Sequence, residues 1–303
     1  MALRQVLEPM IRYSITEDDL RAKIEAEKAG WLDRAKDRTD GFITAGEYEE
    51  SSSIWSEIKK VYMRLQYDKC AYCERKLADE NDGGTIEHDV EHYRPKNTVP
   101  EWPTDDMEDE GITFNFATGD ELTNGYYWLA YEPLNYCTSC KKCNSPLKKN
   151  WFPIADNRGQ ATDDSETLNA AENPFLPYPI GTSDDDPIEI IAFDGISPVP
   201  VKRSGPKWRR AKVTIAFFRL DTREELLRER AELLISLHDR MSIIDSNLPA
   251  ARREQAKEDI KRMRSDRAPH ASCVRSACQA WIDDPDRMLQ LTDAARDYVD
   301  PSN

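Results

Sequence analysis

The stretch that decides the fold begins KCAYCERKL (residues 69–77), continues as TIEHDVEHYRPK (85–96) and ends CTSCKKCNSPLKKNWFP (137–153). Five of the seven cysteines of the chain lie in the first and last of these segments. In a reducing compartment, such clusters are more often metal ligands than disulfides. The middle segment carries two histidines, each preceded by a glutamate. The stretch therefore combines sulfur ligands with groups able to do acid–base chemistry.

The cysteine spacing predicts a structural zinc site. A Cys-x2-Cys pair can sit on a tight turn with both sulfurs facing one ion, and four thiolates suit tetrahedral zinc. The first pair is Cys70 and Cys73. The second pair is Cys140 with Cys143 or, one step earlier, Cys137 with Cys140, and the spacing alone leaves both open. The long connection between the pairs leaves room for a second, catalytic site.

The two Glu-His pairs, Glu87-His88 and Glu91-His92, indicate hydrolytic chemistry. Cleavage of a phosphodiester bond needs a general base to activate water, which a neutral imidazole can supply. It also needs a divalent cation to stabilise charge on the phosphate. Carboxylate and asparagine oxygens are hard ligands for such an ion. We therefore expect one of the two pairs to belong to a catalytic metal site.

These residues together resemble the HNH (ββα-metal) endonuclease pattern. The matching residues are Cys70-x2-Cys73, the run from Val90 to Lys96, Asn135, Cys140-x2-Cys143-Asn144 and Lys148. The match covers residues 69–153 and is most similar to a bacterial HNH branch that includes nuclease subunits of Septu-type antiphage and some retron systems. The resemblance implies an α+β fold: a ββα-metal core with a structural zinc, embedded in a mostly helical protein with a β-hairpin.

The resemblance implies a role for each residue of the catalytic site. His92 matches the general base, and Glu91 matches the acidic metal ligand that precedes it. Asn144 takes the place of the last histidine as the second protein ligand to a Mg²⁺ or Mn²⁺ ion. Asn135 matches the central asparagine, which orients the loop and the backbone of the histidine.

The resemblance also implies substrate-binding residues and a choice between the ligand pairs that the spacing leaves open. Lys96, Lys148 and Arg94 are expected to bind substrate phosphate. The alignment selects Cys140 and Cys143 as the second zinc pair, which leaves Cys137 as a buried thiol. It also favours Glu91-His92 over the earlier Glu-His pair, whose histidine becomes a hydrogen-bonded supporting residue. The predicted function is metal-dependent hydrolysis of DNA by an HNH endonuclease in phage defence. The alternatives are a zinc-stabilised binding module without catalysis and a nuclease acting on RNA.

Charge and composition limit how the protein finds its substrate. The 303 residues carry a net charge of −15, whereas nucleic-acid-binding domains are usually basic. Basic residues gather at 141–149 and 202–212, and the second of these segments either binds phosphate or is a solvated linker. We expect a partner, an ATPase subunit as in the resembled systems, to help with DNA. The absence of a long apolar run or a signal-peptide pattern predicts a cytoplasmic protein with no membrane contact.

Outside this stretch, the pattern predicts mostly helices. We expect three parts: an N-terminal helical segment (1–66), the nuclease core (67–155) with an acidic insertion at 97–125, and a C-terminal part (156–303) with a hairpin and helices. The insertion is either a solvated loop or a flap over the active site. Helix starts are predicted at the capping residues Thr16 and Thr222, a turn at 37–42, a hairpin turn at Asp194-Gly195, and helices at 249–264, 270–282 and 285–299.

Overall fold

The computed structural model describes residues 12–77 and 88–301. The protein is α+β and mostly helical, with two small antiparallel strand pairs. The described chain divides into two compact units, one of residues 12–72 and 77–185 and the other of residues 73–76 and 186–301. Within the described ranges, no helix is long and apolar enough to cross a membrane.

The first unit opens with three helices, α1 (Glu17–Glu27), α2 (Trp31–Ala45) and α3 (Lys59–Leu65), the last preceded by a 3₁₀ turn at Trp55–Ile58. The predicted start of α1 is confirmed, because the hydroxyl of Thr16 accepts the backbone N–H of Asp19 at 3.1 Å. Such a contact satisfies one of the donors that a helix start leaves unpaired.

The predicted turn at residues 37–42 is wrong, since these residues belong to α2. The chain breaks earlier, at Gly30, which adopts a φ of +71° that costs a glycine little. The carboxylate of Glu25 accepts the N–H of Gly30 at 2.7 Å and so supports the start of α2. Trp31 and Phe42, near the two ends of α2, are both buried. Their burial stabilises the helix across the polar residues of the supposed turn.

An antiparallel strand pair lies within the first unit. It is formed by β1 (His88–His92) and β2 (Tyr136–Cys140), with His88 opposite Cys140 and His92 opposite Tyr136. After β2 the chain enters a π-helical turn at Cys143–Lys148. The two strands are distant in sequence, and the π-helical turn follows the second of them closely.

The acidic insertion at 97–125 is closed at its base and contains aromatic packing. Val99 and Leu122 exchange two backbone hydrogen bonds of 2.9 Å each. Trp102 is buried, and its ring lies 5.6 Å from that of Phe114. The insertion also contains a short helix, α4 (Asp105–Asp109), with no buried residue. The insertion is therefore a loop held by its own apolar contacts, with the acidic side chains of α4 facing water.

The last helix of the first unit is α5 (Ser165–Glu172). The described part of the second unit contains a hairpin and five helices. These elements are β3 (Ile191–Asp194), β4 (Ser197–Pro200), α6 (Pro206–Phe217), α7 (Glu224–Asp245), α8 (Ala250–Met263), α9 (Ala271–Asp283) and α10 (Pro285–Val299). The hairpin and the last three helices agree with the sequence prediction. The predicted cap of α7 at Thr222 lies one residue too early, because the N-cap residue that precedes Glu224 is Arg223. The basic segment 202–212 is not a simple linker, since α6 begins in it at Pro206, a residue favoured in the first helical turn.

Candidate functional site

Four buried cysteines come together at the two Cys-x2-Cys pairs. The sulfurs of Cys70, Cys73, Cys140 and Cys143 all lie within 4.8 Å of one another. A tetrahedral zinc with Zn–S bonds near 2.3 Å places its sulfurs about 3.8 Å apart. The backbone N–H of Cys143 donates to the sulfur of Cys140 at 3.4 Å, which orients one of the pairs. This cluster fits a structural zinc ion.

Cys137, the alternative ligand, lies outside the cluster. It is fully buried, and its thiol donates to the hydroxyl of Tyr72 at 3.5 Å. Burial raises the pKa of the Cys137 thiol to about 12, so it is protonated at neutral pH. Metal ligation requires a thiolate. The structure thus places Cys137 as the buried thiol that the alignment implies, and it leaves the cluster to the other four.

Three of the four predicted catalytic residues line one cavity of about 490 Å³, and the fourth, Asn135, does not. Glu91 and His92, at the end of β1, line it together with Asn144, which follows β2 on the π-helical turn. Lys96, just after β1, lines it as well. The antiparallel pairing of the two strands is what brings residues so distant in sequence to one place. Glu87 and the side chain of His88, the alternative pair, lie outside the described residues.

His92 is held as a neutral imidazole with one nitrogen free to accept a proton. Its Nε2 lies 3.0 Å from the carbonyl oxygen of Ala130, which can only accept a hydrogen bond, so this nitrogen carries the proton. The ring meets Trp55 and Tyr136 edge-on, with centroids 4.9 and 5.0 Å away. Burial, reinforced by the nearby Lys96 charge, holds the pKa of His92 well below its usual range. This environment leaves Nδ1 unprotonated.

Glu91 is engaged with a buried lysine. Lys148 is fully buried, and its ammonium lies 2.8 Å from Glu91 Oε1 and donates to the carbonyl oxygen of His92 at 2.9 Å. Burial raises the pKa of the Glu91 carboxyl, and the charge of Lys148 opposes that shift. These contacts do not fit the substrate contact predicted for Lys148, because its charge is already paired inside the protein. Lys148 instead ties the π-helical turn to the end of β1.

Asn135 is buried, and its side-chain amide hydrogen-bonds to three backbone groups. Its Oδ1 accepts the backbone N–H of Arg94 at 2.7 Å, and its Nδ2 donates to the carbonyl oxygens of Arg94 and Leu129, both at 3.0 Å. Its own carbonyl oxygen accepts the N–H of Tyr93 at 2.8 Å. The side chain therefore fixes the backbone directly after His92.

Arg94 is not placed to bind substrate. Its side chain is 1% exposed, and its Nε and Nη2 both lie 3.1 Å from Glu172, a residue of α5. The guanidinium also lies over three aromatic rings, those of Tyr93, Tyr126 and Phe152. The predicted phosphate contact is corrected by this burial, since the charge of Arg94 is satisfied by a carboxylate of its own unit.

This buried pair predicts a large stability effect. Glu172→Ala is expected to lower the free energy of unfolding by about 3–5 kcal/mol, because it leaves the Arg94 charge buried without its partner. Denaturant unfolding followed by circular dichroism measures the change. Glu166→Ala, on the exposed side of the same helix, is the control and should change stability by less than about 0.5 kcal/mol. Equal small changes in the two variants would contradict the role given to the pair.

Asn144 faces a carboxylate that sequence reasoning missed. Its Nδ2 lies 3.3 Å from Oδ2 of Asp89, which also accepts from Lys141 at 3.3 Å. Asp89 lines the same cavity as Glu91. The signal was present in the sequence, because residues two apart on a strand point to the same face, and Asp89 lies two positions before Glu91.

Comparisons with known proteins support part of the resemblance. No protein-family model matches the chain, and no solved structure does. The chain is similar to the Septu protein PtuB of Bacillus mycoides (strain KBAB4), with 26% identity over 248 residues, or 80% of this chain and 74% of the relative. This similarity supports a relationship to the Septu antiphage-defence family. It extends well beyond the motif stretch, so the helical parts of the chain share in it.

The cavity also has lining residues that sequence reasoning missed. Trp55, Ser56 and Lys59 line it, and they come from the 3₁₀ turn before α3 and from the start of that helix. The motif match begins only at residue 69, so no spacing rule pointed to these residues. The cavity thus draws on the N-terminal helices as well as on the strand pair.

Proposed function

We propose that this chain is a metal-dependent endonuclease of the HNH type that hydrolyses DNA phosphodiester bonds in a Septu-type defence against phage. The observation that carries the proposal is the imidazole of His92, set in one cavity with two carboxylates and an asparagine amide. The four-cysteine cluster includes Cys140, the last residue of β2, and Cys143, the first residue of the π-helical turn that carries Asn144. A zinc ion bound there would give the site rigid support.

His92 acts as the general base in this proposal. Its Nε2–H remains on the carbonyl oxygen of Ala130, and Nδ1 takes the proton of the attacking water. The edge contacts of Trp55 and Tyr136 restrict rotation of the ring. Asn135 fixes the backbone after the histidine, so that the ring keeps its direction during the reaction.

The residues of the cavity fit a hard divalent cation. Amide nitrogen and oxygen are assigned from hydrogen bonding, so Asn144 can present Oδ1 where its Nδ2 stands, 3.3 Å from Asp89 Oδ2. Neighbouring oxygens around Mg²⁺, at 2.0–2.1 Å from the ion, are about 3 Å apart. Asp89 and Asn144 would hold the ion, with the second oxygen of Glu91 as a further ligand. A bound Mg²⁺ or Mn²⁺ supplies charge stabilisation at the phosphate and at the leaving oxygen.

The proposal includes a partner subunit. The net charge of −15 opposes long-range attraction to DNA. An ATPase subunit that binds or gates DNA would overcome this repulsion, in keeping with the similarity to a Septu protein. The chain's own contribution would then be cleavage at the cavity, with measurable but weaker DNA binding when the partner is absent.

A plasmid-nicking assay tests the proposal. Purified, zinc-loaded protein is expected to convert supercoiled plasmid into nicked circles when Mg²⁺ or Mn²⁺ is added, and to leave it intact when neither is added. Single-stranded RNA offered in parallel separates a DNA nuclease from an RNA nuclease. Binding of DNA without cleavage in either metal, with or without the co-expressed neighbouring subunit, would overturn the catalytic proposal and favour a zinc-stabilised binding module.

A further inference from the structure

Lys96 is held in the cavity by aromatic rings rather than by a carboxylate. Its ammonium lies 4.8 Å from the ring centroid of Trp55 and 5.1 Å from that of Tyr48. The side chain is half-buried, and no carboxylate of residues 12–77 or 88–301 lies within ion-pair distance of it. Burial lowers the pKa of Lys96. The Glu91 carboxylate opposes this shift in the pKa and so favours the charged form of Lys96, without forming an ion pair with it.

Lys148, which contacts the cavity residue Glu91, differs from Lys96 in how its charge is balanced. Its ammonium is paired with Glu91 at 2.8 Å and is shut off from solvent. A carboxylate positions a cation and cancels its charge. An aromatic face positions a cation through its quadrupole and leaves the charge in place. Of these two lysines, only Lys96 therefore has a charge to offer to an anion in the cavity.

Trp55 links this lysine to the proposed general base. The Lys96 ammonium lies over the indole of Trp55. The His92 ring meets the same indole at 87°, with ring centroids 4.9 Å apart. Tyr131 and Tyr48 hold the indole in turn, with centroids 5.7 and 6.3 Å away. The indole is fixed on several sides, so the distance between the lysine and the histidine is set by a rigid group.

We propose that Tyr48 and Trp55 form an aromatic seat that holds the Lys96 ammonium in the cavity with its charge intact, so that it binds a DNA phosphate beside His92. Trp55 is a positioning residue, acting through Lys96. The inference rests on the proposed function, because the anion that it assigns to the seat is the phosphate of the DNA substrate. It brings residues from the N-terminal helical region, which the motif does not include, into substrate binding.

DNA binding without catalysis tests this inference. Fluorescence anisotropy with a labelled 20-base-pair duplex is measured without added Mg²⁺ or Mn²⁺ and without chelator, so that zinc stays bound and the DNA stays whole. Trp55→Leu is expected to weaken binding about three- to thirty-fold, the range that a cation–π contact contributes. Trp55→Phe introduces a side chain closer in size to leucine than to tryptophan but keeps an aromatic face, and its binding should stay within about three-fold of the wild type.

A double-mutant cycle separates positioning from a general loss of packing. Lys96→Met should weaken binding and flatten the dependence of log Kd on log salt by about one unit. In that background, Trp55→Leu should cause no further loss. Trp281→Leu is the control, since that ring meets His238 edge-on in the second unit, far in sequence from the cavity. All variants are first matched for zinc content.

Three results would overturn the inference: no DNA binding by the wild type, equal binding by Trp55→Leu and the wild type, or a full additional loss from Trp55→Leu in the Lys96→Met background. The outcome is distinct from that of the nuclease proposal. A protein that binds DNA through the seat but never cuts it would support this inference and contradict the catalytic one.

Discussion

Replacing His92 with alanine is expected to lower the rate constant for plasmid nicking by about 10²- to 10⁴-fold, the usual contribution of a positioned general base. The reason lies in the tautomer. Ala130 holds the proton on Nε2, and burial keeps the ring neutral, so the variant loses the one nitrogen placed to accept a proton from water. The rates are measured under single-turnover conditions with Mg²⁺, at equal zinc content.

The control for this variant is His238→Ala. That histidine also meets a tryptophan edge-on, at 5.6 Å, but it belongs to α7 and the second unit. Its loss should leave nicking unchanged. Added imidazole should restore part of the activity of His92→Ala, because the variant leaves space where the ring stood. Nicking that survives His92→Ala at the wild-type rate would remove His92 from the role of base.

Replacing Cys143 with serine is expected to remove the zinc and unfold the first unit. Its sulfur is one of four that lie within 4.8 Å of one another, and its residue also opens the π-helical turn that carries Asn144. Structural zinc contributes about 10–16 kcal/mol of apparent binding free energy in small zinc domains. Zinc content by mass spectrometry should fall from about one ion per chain to near zero, with a loss of cooperative thermal unfolding.

Cys137→Ala is the matched control for this loss. Cys137 is as deeply buried as the ligands and lies on the same strand, β2, as Cys140. It should keep its zinc, and any destabilisation should be limited to the small packing defect that a lost sulfur leaves. If Cys137→Ala lost the zinc and Cys143→Ser kept it, the ligand set would have to be shifted by one pair.

The parts of the site that the sequence predicted are those with local signals. A Cys-x2-Cys pair needs only a tight turn to place its sulfurs, and so the four-cysteine cluster could be derived from spacing. The position of Asn135 and Asn144 relative to β2 came with the motif. The hairpin and the last three helices followed from β-branched residues, a turn signal and helical pattern, whereas the strand that carries His92 came only with the resemblance.

The parts that sequence reasoning missed depend on partners far along the chain. Arg94 and Lys148 are cations inside or beside the motif, and nothing local indicates that one meets Glu172 and the other Glu91 in the interior. The role of Trp55 depends in the same way on contacts with His92 and Lys96. From sequence alone, a basic residue near the motif predicts a substrate contact, whereas in the structure both side chains are buried and already paired.

We propose that the two strands β1 and β2 and the turn after them serve two different metal sites. Anomalous diffraction from crystals grown with Mn²⁺, recorded at the zinc and manganese edges, tests it most directly. We expect a zinc peak among the four sulfurs and a separate manganese peak in the cavity, about 2.2 Å from an oxygen of Asp89 or Asn144, with Nδ1 of His92 facing it. A zinc peak alone, or a His92 ring turned out of the cavity, would contradict the account.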